Sequence, residues 1–308
     1  RALFWWAHGV GKKYSACIES KKPVPAFLKA KYALAYKLVF SKLKAKFGGR
    51  LKYFVTGGAP LSASIAKFFH SAGLLILEGW GLTETTGPVT VNRFDNFKFG
   101  TVGLPLKDVK IKIADDGELL VKSKKVFKGY FNMPEETAEV FTEDGWFKSG
   151  DIGEFDSDGF LKITDRKKDI IVTAGGKNIA PQKIENLLKT CRFIANVLVH
   201  GDQRKFLTAL VTLNLDELTQ FAKDENIEYE TVRELVHHEK VFELIENEVK
   251  KMNQHLASFE SVKRFHILER DFSIEDGELT PSLKVKRRFC EKRYAEFLNK
   301  LYSEQINP

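Results

Sequence analysis

The stretch LKYFVTGGAPLSASIAKFFHSAGLLILEGWG, residues 51–81, decides the fold. It opens with an apolar, β-branched run that ends at a glycine turn. It continues with SASIAKFFHSAG, whose apolar residues recur at helical spacing, and then with the apolar run LLIL. Ser62 stands where the helix N-cap is expected, because a serine hydroxyl can accept from a free amide of the first turn. Strand, helix and strand in this order form a βαβ unit, so we predict a parallel sheet.

The sequence after this unit changes character. From residue 98 the pattern is one of brief alternating strands broken by Asp-Gly and Gly turns, which predicts a small antiparallel β unit. The later predicted elements are a helix opened by Pro181, paired strands within residues 193–202 and 205–214, and helices within residues 238–257 and 283–302. The predicted class is therefore α/β, with a large domain over residues 1–165 and a smaller α+β domain over residues 166–308. The boundary falls in the charged segment DRKKD.

Composition and cysteine usage bound the class of protein. The 308 residues are 43% hydrophobic and 29% charged, which is typical of a globular protein with more than one domain. No uncharged apolar run of about 18 residues predicts a membrane span, and the first residues do not resemble a signal peptide. The cysteines, Cys17, Cys191 and Cys290, are far apart and lack metal-ligand spacing. We therefore expect a cytoplasmic location.

The net charge of +8 is concentrated near the start of the sequence. Residues 1–50 carry ten lysines and two arginines against one acid, Glu19. Within the basic segment 12–50, apolar residues recur at helical spacing between lysines. Two interpretations stay open. The segment is either a helix that packs on its own domain with its lysines exposed to solvent, or a segment in peripheral contact with the anionic inner face of a membrane. No nucleic-acid-binding motif occurs, so we expect no nucleic-acid partner.

Three separate patterns suggest a nucleotide site. EGWGLTETTGP, residues 78–88, places small and hydroxyl residues and Glu84 after a buried strand, where open α/β sheets bind ligands. Asp151 follows a glycine and Arg166 comes fifteen residues later, flanking a predicted hairpin. Lys284 lies in a Pro/Ser loop before a basic helix. Each pattern alone is also typical of an ordinary turn or a solvated side chain.

Taken in order, these patterns resemble those of the adenylate-forming acyl-CoA synthetases, and most closely the long-chain fatty acyl-CoA ligases that release AMP. The motifs that carry the resemblance are YFVTGGAPLSASIAKFF, EGWGLTETTGP, WFKSGD, DRKKDIIVTAGGKNIAPQKIE and LTPSLKVKRR. The resemblance implies a partial large adenylation domain followed by a small mobile C-terminal domain. It further implies ATP, Mg²⁺ and coenzyme A as cofactors and a fatty acid as substrate.

The resemblance also implies a role for each matching residue. The residues of the nucleotide site are Gly57, Gly58 and Ala59 as a flat wall for adenine, Trp80 as its stacking partner, Gly81 beside it, and Asp151 with Arg166 on the ribose. The residues of the chemical step are Thr83 on phosphate, Glu84 on Mg²⁺, and Lys284 on the charge that develops at the α-phosphorus. The residues of the second half-reaction are Lys168 as a hinge and Gly176 along the pantetheine passage. The family usually has tyrosine where Trp80 stands, and often glycine where Leu283 stands.

One family element is missing from the sequence. The Ser/Thr/Gly-rich phosphate loop is expected upstream, and no such stretch occurs in the 308 residues. We therefore expect the C-terminal part of a longer enzyme, inactive as it stands. The alternatives are an acyl-adenylate ligase that passes its product to a carrier protein, and a non-catalytic fragment that binds a membrane surface.

Overall fold

The computed structural model describes residues 2–303 and divides into two compact units. The first unit extends to Ile163 and the second begins at Thr164. Residues 1 and 308, the predicted outer limits of the two domains, lie outside the described range. Each unit is described by itself.

A βαβ unit forms the centre of the first unit, as predicted. Strand β1 (Tyr53–Thr56), helix α4 (Ala63–Ser71) and strand β2 (Leu75–Leu82) follow one another, and the two strands pair in parallel. Ser62 occupies the N-cap, but its hydroxyl bonds to the Ser64 hydroxyl at 2.8 Å and caps no amide. Two more strands, β3 (Gly87–Val91) and β4 (Leu104–Pro105), extend this sheet in antiparallel fashion.

Helices precede this sheet. They are α1 (Ala2–Glu19), α2 (Ala26–Ala35), a π-helical turn (Tyr36–Phe40) and α3 (Ser41–Lys46). Leu28 and Phe40 are buried against α1 in one apolar cluster, so part of the apolar face packs on its own unit. Phe27 and Leu34 remain 65% and 50% exposed among the lysines. Within residues 2–303, every helix is too short or too polar to cross a bilayer.

The predicted antiparallel β unit is also present. Its strands are β5 (Lys110–Ile113), β6 (Glu118–Lys122), β7 (Phe147–Phe155) and β8 (Leu161–Arg166), with helix α5 (Pro134–Glu139) between β6 and β7. Val121, Phe147 and Leu161 of this sheet join Trp80 and Val89 of the first sheet in one buried cluster. Both sheets of the first unit therefore share a single core.

The second unit is a small α+β fold, which confirms the predicted class. A hairpin of β9 (Ile171–Val172) and β10 (Asn178–Ile179) precedes helix α6 (Pro181–Leu188), which Pro181 opens as predicted. A three-stranded sheet follows, in which β11 (Ile194–His200) and β12 (Leu207–Leu213) are antiparallel and β13 (Val262–Ile267) is parallel to β12. Its helices are α7 (Leu215–Asp224), α8 (Val232–Val236), α9 (Glu239–Asn253), α10 (Arg287–Arg293) and α11 (Ala295–Ser303). Ile184, Val211 and Ile245 are among the residues of its core.

The helix predicted within residues 283–302 is corrected by the structure. It is two helices, α10 and α11, and it begins only at Arg287. Leu283 has φ +60, which an α-helix cannot accommodate, so the chain turns there before the helix starts. At the break, Tyr294 has φ −104 and directs its hydroxyl to the buried carboxylate of Glu278.

Candidate functional site

The carboxyl ends of β1 and β2 lie at the same edge of the first sheet. Thr56, the last residue of β1, pairs with Glu78 of β2. The turn after β1 exposes Gly57, Gly58 and Ala59, and Gly58 has φ +82, a backbone conformation that favours glycine. The predicted adenine wall is thus an exposed backbone turn beside the end of β2.

Glu78 ties this turn to the second strand, which the sequence analysis missed. Its Oε1 accepts the Leu61 amide at 2.9 Å, and the residue is 8% exposed. Burial raises the pKa of Glu78 to about 7, although the Leu61 hydrogen bond lowers it. The available sequence signal was a carboxylate inside an otherwise apolar strand.

A buried hydrogen bond joins Trp80 of β2 to Asp151 of β7. The indole Nε1 donates to Oδ2 of Asp151 at 2.7 Å, and the two residues are 8% and 4% exposed. Asp151 therefore presents a carboxylate already oriented at one oxygen. Because so little of the indole is exposed, little ring surface is available for the predicted stacking on adenine. What the structure shows for Trp80 is that its indole holds Asp151.

The glycines on either side of Trp80 have an architectural reason. A Cβ on Gly81 would lie 2.2 Å from the carbonyl oxygen of Gly87, and a Cβ on Gly79 would lie 2.9 Å from that of Thr90. The backbone of β3 fills this space, so these glycines are required by the pairing of β2 with β3.

The loop after β2 is a short 3₁₀ turn that presents Thr83 to solvent. Thr85 is fully buried, and its hydroxyl bonds to the backbone of Leu82 at 2.9 and 3.0 Å, so it shapes the turn. Thr86 adopts φ +52 and donates its hydroxyl to the Lys125 carbonyl at 2.8 Å. Thr85 and Thr86 thus use their hydroxyls in hydrogen bonds within the fold, and Thr83 is exposed.

Glu84 is half-buried and fixed from the segment that follows β6. Its carbonyl accepts the Phe127 amide at 2.7 Å, and its Oε1 accepts the Tyr130 hydroxyl at 3.0 Å. Burial, followed by the contact with Glu84, raises the pKa of Tyr130. Among residues 2–303, no cluster of three or more His, Cys, Asp or Glu side chains could hold a metal ion. A single oriented carboxylate does fit Mg²⁺ that takes most of its ligands from phosphates and water.

Three predicted site residues lie within residues 166–176, near the start of the second unit. Arg166 ends β8, and its amide donates to the buried carboxylate of Asp165 at 2.6 Å. Lys168 is exposed in the 3₁₀ turn Lys167–Asp169. Gly176 has φ +73 in the hairpin turn between β9 and β10, where a Cβ would meet nothing within 4 Å. Gly176 is therefore a hairpin turn residue with open space around it.

The lysine loop, defined as residues 280–286, is a closed turn that exposes Lys284. The Thr280 amide donates to the Lys284 carbonyl at 2.8 Å, and the Lys284 amide donates to the Thr280 hydroxyl at 3.1 Å. Leu283 adopts φ +60 and is 67% exposed, at the position where the family often has glycine. A non-glycine residue in this conformation costs about 1–2 kcal/mol, so the loop geometry is maintained by its surroundings.

Two family models match the chain, one in each unit. The model of AMP-binding enzymes matches residues 15–131, and the model of the C-terminal domain of AMP-binding enzymes matches residues 168–306. The first contains the residues at the ends of β1 and β2, and the second contains the lysine loop.

Individual relatives agree with the family models. The long-chain-fatty-acid–CoA ligase FadD15 of Mycobacterium bovis is 42% identical over 279 residues, which are 90% of this chain and 46% of the ligase. The adenylation domain of a carboxylate reductase from Mycobacterium chelonae has a TM-score of 0.71 at 26% identity, covering 97% of this chain and 45% of that one. O-succinylbenzoate coenzyme A synthetase of Bacillus subtilis, in complex with ATP and magnesium ion, has a TM-score of 0.58 at 25% identity, covering 80% of this chain and 49% of that one. The chain thus spans about half the length of the proteins it matches.

Proposed function

We propose a function from one premise: the chain belongs to the family of AMP-binding enzymes. It is the C-terminal part of an ATP-dependent ligase that joins a long-chain fatty acid to coenzyme A. The observation that carries the proposal is the edge of the first sheet, where the exposed turn 57–59 and Glu84 lie, together with Asp151 of β7, which Trp80 of β2 orients within the same compact unit.

In this proposal the nucleotide binds at that edge. Adenine lies against the backbone of residues 57–59, which small residues leave accessible, and the ribose hydroxyls donate to Asp151. Arg166 adds donors in a planar fork that suits oxygen acceptors. Thr83 donates to phosphate, and Glu84 holds Mg²⁺, which when bound supplies positive charge to the phosphate oxygens.

The first half-reaction forms an acyl adenylate. A carboxylate oxygen of the fatty acid attacks the α-phosphorus, and the bond from that phosphorus to the bridging oxygen breaks as pyrophosphate leaves. Lys284 stabilises the negative charge that develops around the α-phosphorus. Fixed charge of this kind is usually the largest contribution to phosphoryl-type transfer.

The second half-reaction forms the thioester. The thiol of coenzyme A loses its proton and attacks the acyl carbonyl, and the bond to the phosphate oxygen breaks to release AMP. Lys168 is the hinge that changes its backbone angles between the two half-reactions, and Gly176 lines the pantetheine passage. Substitution of Lys168 by proline should therefore slow at least one half-reaction, and wild-type rates in both would exclude the hinge role.

The test uses the chain joined to the upstream half that the family carries. We expect AMP formation from ATP, Mg²⁺ and palmitate to depend on coenzyme A and to fall at least 100-fold in Lys284→Ala. Lys286→Ala is the matched control, because it removes an exposed lysine two residues away and should retain activity. Undiminished turnover in Lys284→Ala, or no palmitate-dependent turnover in the wild type, would refute the proposal.

A second candidate concerns the acceptor of the acyl group. The likeness to a carboxylate reductase adenylation domain favours keeping a carrier protein as the alternative acceptor. Acyl adenylate that forms but is not discharged by free coenzyme A would favour the carrier.

The exposed apolar residues of α2 support a further candidate, binding to an anionic membrane surface. Phe27 and Leu34 are exposed on α2, which carries Lys29 and Lys31, and α3 adds Lys42, Lys44 and Lys46. Charge reversal at Lys42, Lys44 and Lys46 should then reduce sedimentation with anionic liposomes, and unchanged sedimentation would count against this candidate.

A further inference from the structure

A buried carboxylate lies beside the lysine loop, and the roles proposed above do not use it. Glu278 is 0% exposed and precedes Lys284 by six residues. Both terminal guanidinium nitrogens of Arg270 donate to it, Nη1 to Oε2 at 2.8 Å and Nη2 to Oε1 at 3.0 Å. The Ser273 amide donates to Oε2 at 3.0 Å, and the Tyr294 hydroxyl donates to Oε1. Both oxygens are thus held from several directions.

The backbone of Glu278 closes the lysine loop from the other side. Its carbonyl accepts the Lys286 amide at 2.7 Å and the Cys290 thiol at 3.7 Å. Leu279, which follows Glu278, and Val285, which precedes Lys286, form an antiparallel bridge. One residue therefore fixes both ends of the turn that presents Lys284.

The hydrogen-bond donors around Glu278 stabilise its ionised form. Burial alone would raise the pKa of Glu278, but the hydrogen bonds from Arg270, Tyr294 and the Ser273 amide, together with the charge of Arg270, outweigh burial, and the pKa is lowered. A buried ion pair contributes little to net stability compared with an apolar pair of similar shape, because desolvation offsets the attraction. What it provides is a defined geometry, and the adjoining loop needs one, since Leu283 stays at φ +60.

We propose that Glu278 is a positioning residue for Lys284, acting through the backbone of the lysine loop. The inference rests on the proposed function of Lys284 in adenylate formation. It predicts that Glu278 matters for the half-reaction that uses Lys284 and not for transfer of the acyl group to coenzyme A. A displacement of about 1 Å in a catalytic group can cost about 100-fold in rate.

The experiment measures the two half-reactions separately in the full-length enzyme. We expect Glu278→Gln to lower palmitate-dependent exchange of pyrophosphate into ATP about 10- to 100-fold. Thioester formation from supplied palmitoyl adenylate and coenzyme A should stay within about twofold of wild type. Glu291→Gln is the matched control, because it neutralises an acid of α10 that pairs with His200 at 2.9 Å, outside the Glu278 contacts. That variant should leave both rates unchanged.

Tyr294→Phe keeps the proposal testable if Glu278→Gln fails to fold. It removes one hydrogen bond to Oε1 and leaves Arg270 in place, so we expect a smaller fall in the same half-reaction. Hydrogen exchange gives a second measurement, because loosening the loop should speed exchange of the Thr280 and Leu283 amides.

The outcomes separate the two proposals. The positioning role would be overturned by equal losses in both half-reactions. It would also be overturned if the pyrophosphate exchange rate stayed within twofold of wild type in Glu278→Gln and Tyr294→Phe. An undiminished rate of pyrophosphate exchange in Lys284→Ala would instead overturn the proposed function of the lysine.

Discussion

Replacing Trp80 by phenylalanine tests the hydrogen bond that connects the two sheets of the first unit. The indole donates to a carboxylate that is 4% exposed, so the substitution leaves Oδ2 of Asp151 without this donor in a buried setting. A hydrogen bond to a charged group contributes about 1.5–3 kcal/mol, and the smaller ring also leaves a cavity. A double-mutant cycle with Asp151→Ala isolates the hydrogen bond, and we expect a coupling energy of about 1.5–3 kcal/mol.

Urea unfolding followed by tryptophan fluorescence measures this coupling. The other tryptophans, Trp5, Trp6 and Trp146, all belong to the first unit, so the signal follows that unit alone. With a urea dependence of about 2 kcal/mol per M, a coupling of about 2 kcal/mol corresponds to about 1 M in the midpoint.

A second cycle supplies the control. Asp156→Ala removes a partly exposed ion pair with Lys98. Its effect on the free energy of unfolding should add to that of Trp80→Phe within about 0.5 kcal/mol. A Trp80–Asp151 coupling no larger than that of the control cycle would refute the reasoning.

Three further predictions concern the candidate site. Tyr130→Phe removes the hydroxyl that orients Glu84. In the full-length enzyme, the Mg²⁺ concentration that gives half-maximal activity should therefore rise about 10-fold. An unchanged Mg²⁺ curve would contradict the orienting role. Gly81→Ala should destabilise the first unit by about 1–3 kcal/mol in urea unfolding, because β3 occupies the space of the new methyl group, whereas Gly9→Ala, where a Cβ meets nothing within 4 Å, should cause no loss. Since burial raises the pKa of Glu78 from 4.5 to about 7, its contribution to stability is fully present below pH 4.5 and is lost as the pH rises through about 7. Glu78→Gln should flatten the fall in unfolding free energy over that range, and an identical pH profile would argue against burial of the charge.

The elements that the sequence predicted are those with a local cause. Alternating and helical spacing within residues 51–81 sufficed for the βαβ unit, and Pro181 correctly opened α6. Turn residues did the same for the antiparallel unit. The helix within residues 283–302 was predicted too long because spacing does not report φ at Leu283, which the surrounding contacts impose.

Parts of the candidate site could not be predicted, because their partners are distant in sequence. Trp80 and Asp151 are 71 residues apart, and Glu84 and Tyr130 are 46 apart. No periodicity connects such pairs, and only the folded chain brings them together. The motifs themselves pointed to the candidate site residues, whereas the side chains that orient those residues have no motif. The roles assigned to the candidate site residues, Lys168, Gly176 and Lys284 among them, all stay predictions.

The core shared by the two sheets of the first unit limits how the chain can be shortened. Val121, Phe147 and Leu161 pack with Trp80 in one buried apolar cluster, and Asp151 accepts the hydrogen bond of the Trp80 indole. A fragment that ended before β7 would retain the whole βαβ unit, yet it would expose that surface to water. Such a fragment should be insoluble on expression, and any minimal version for crystallisation or engineering must extend through β8.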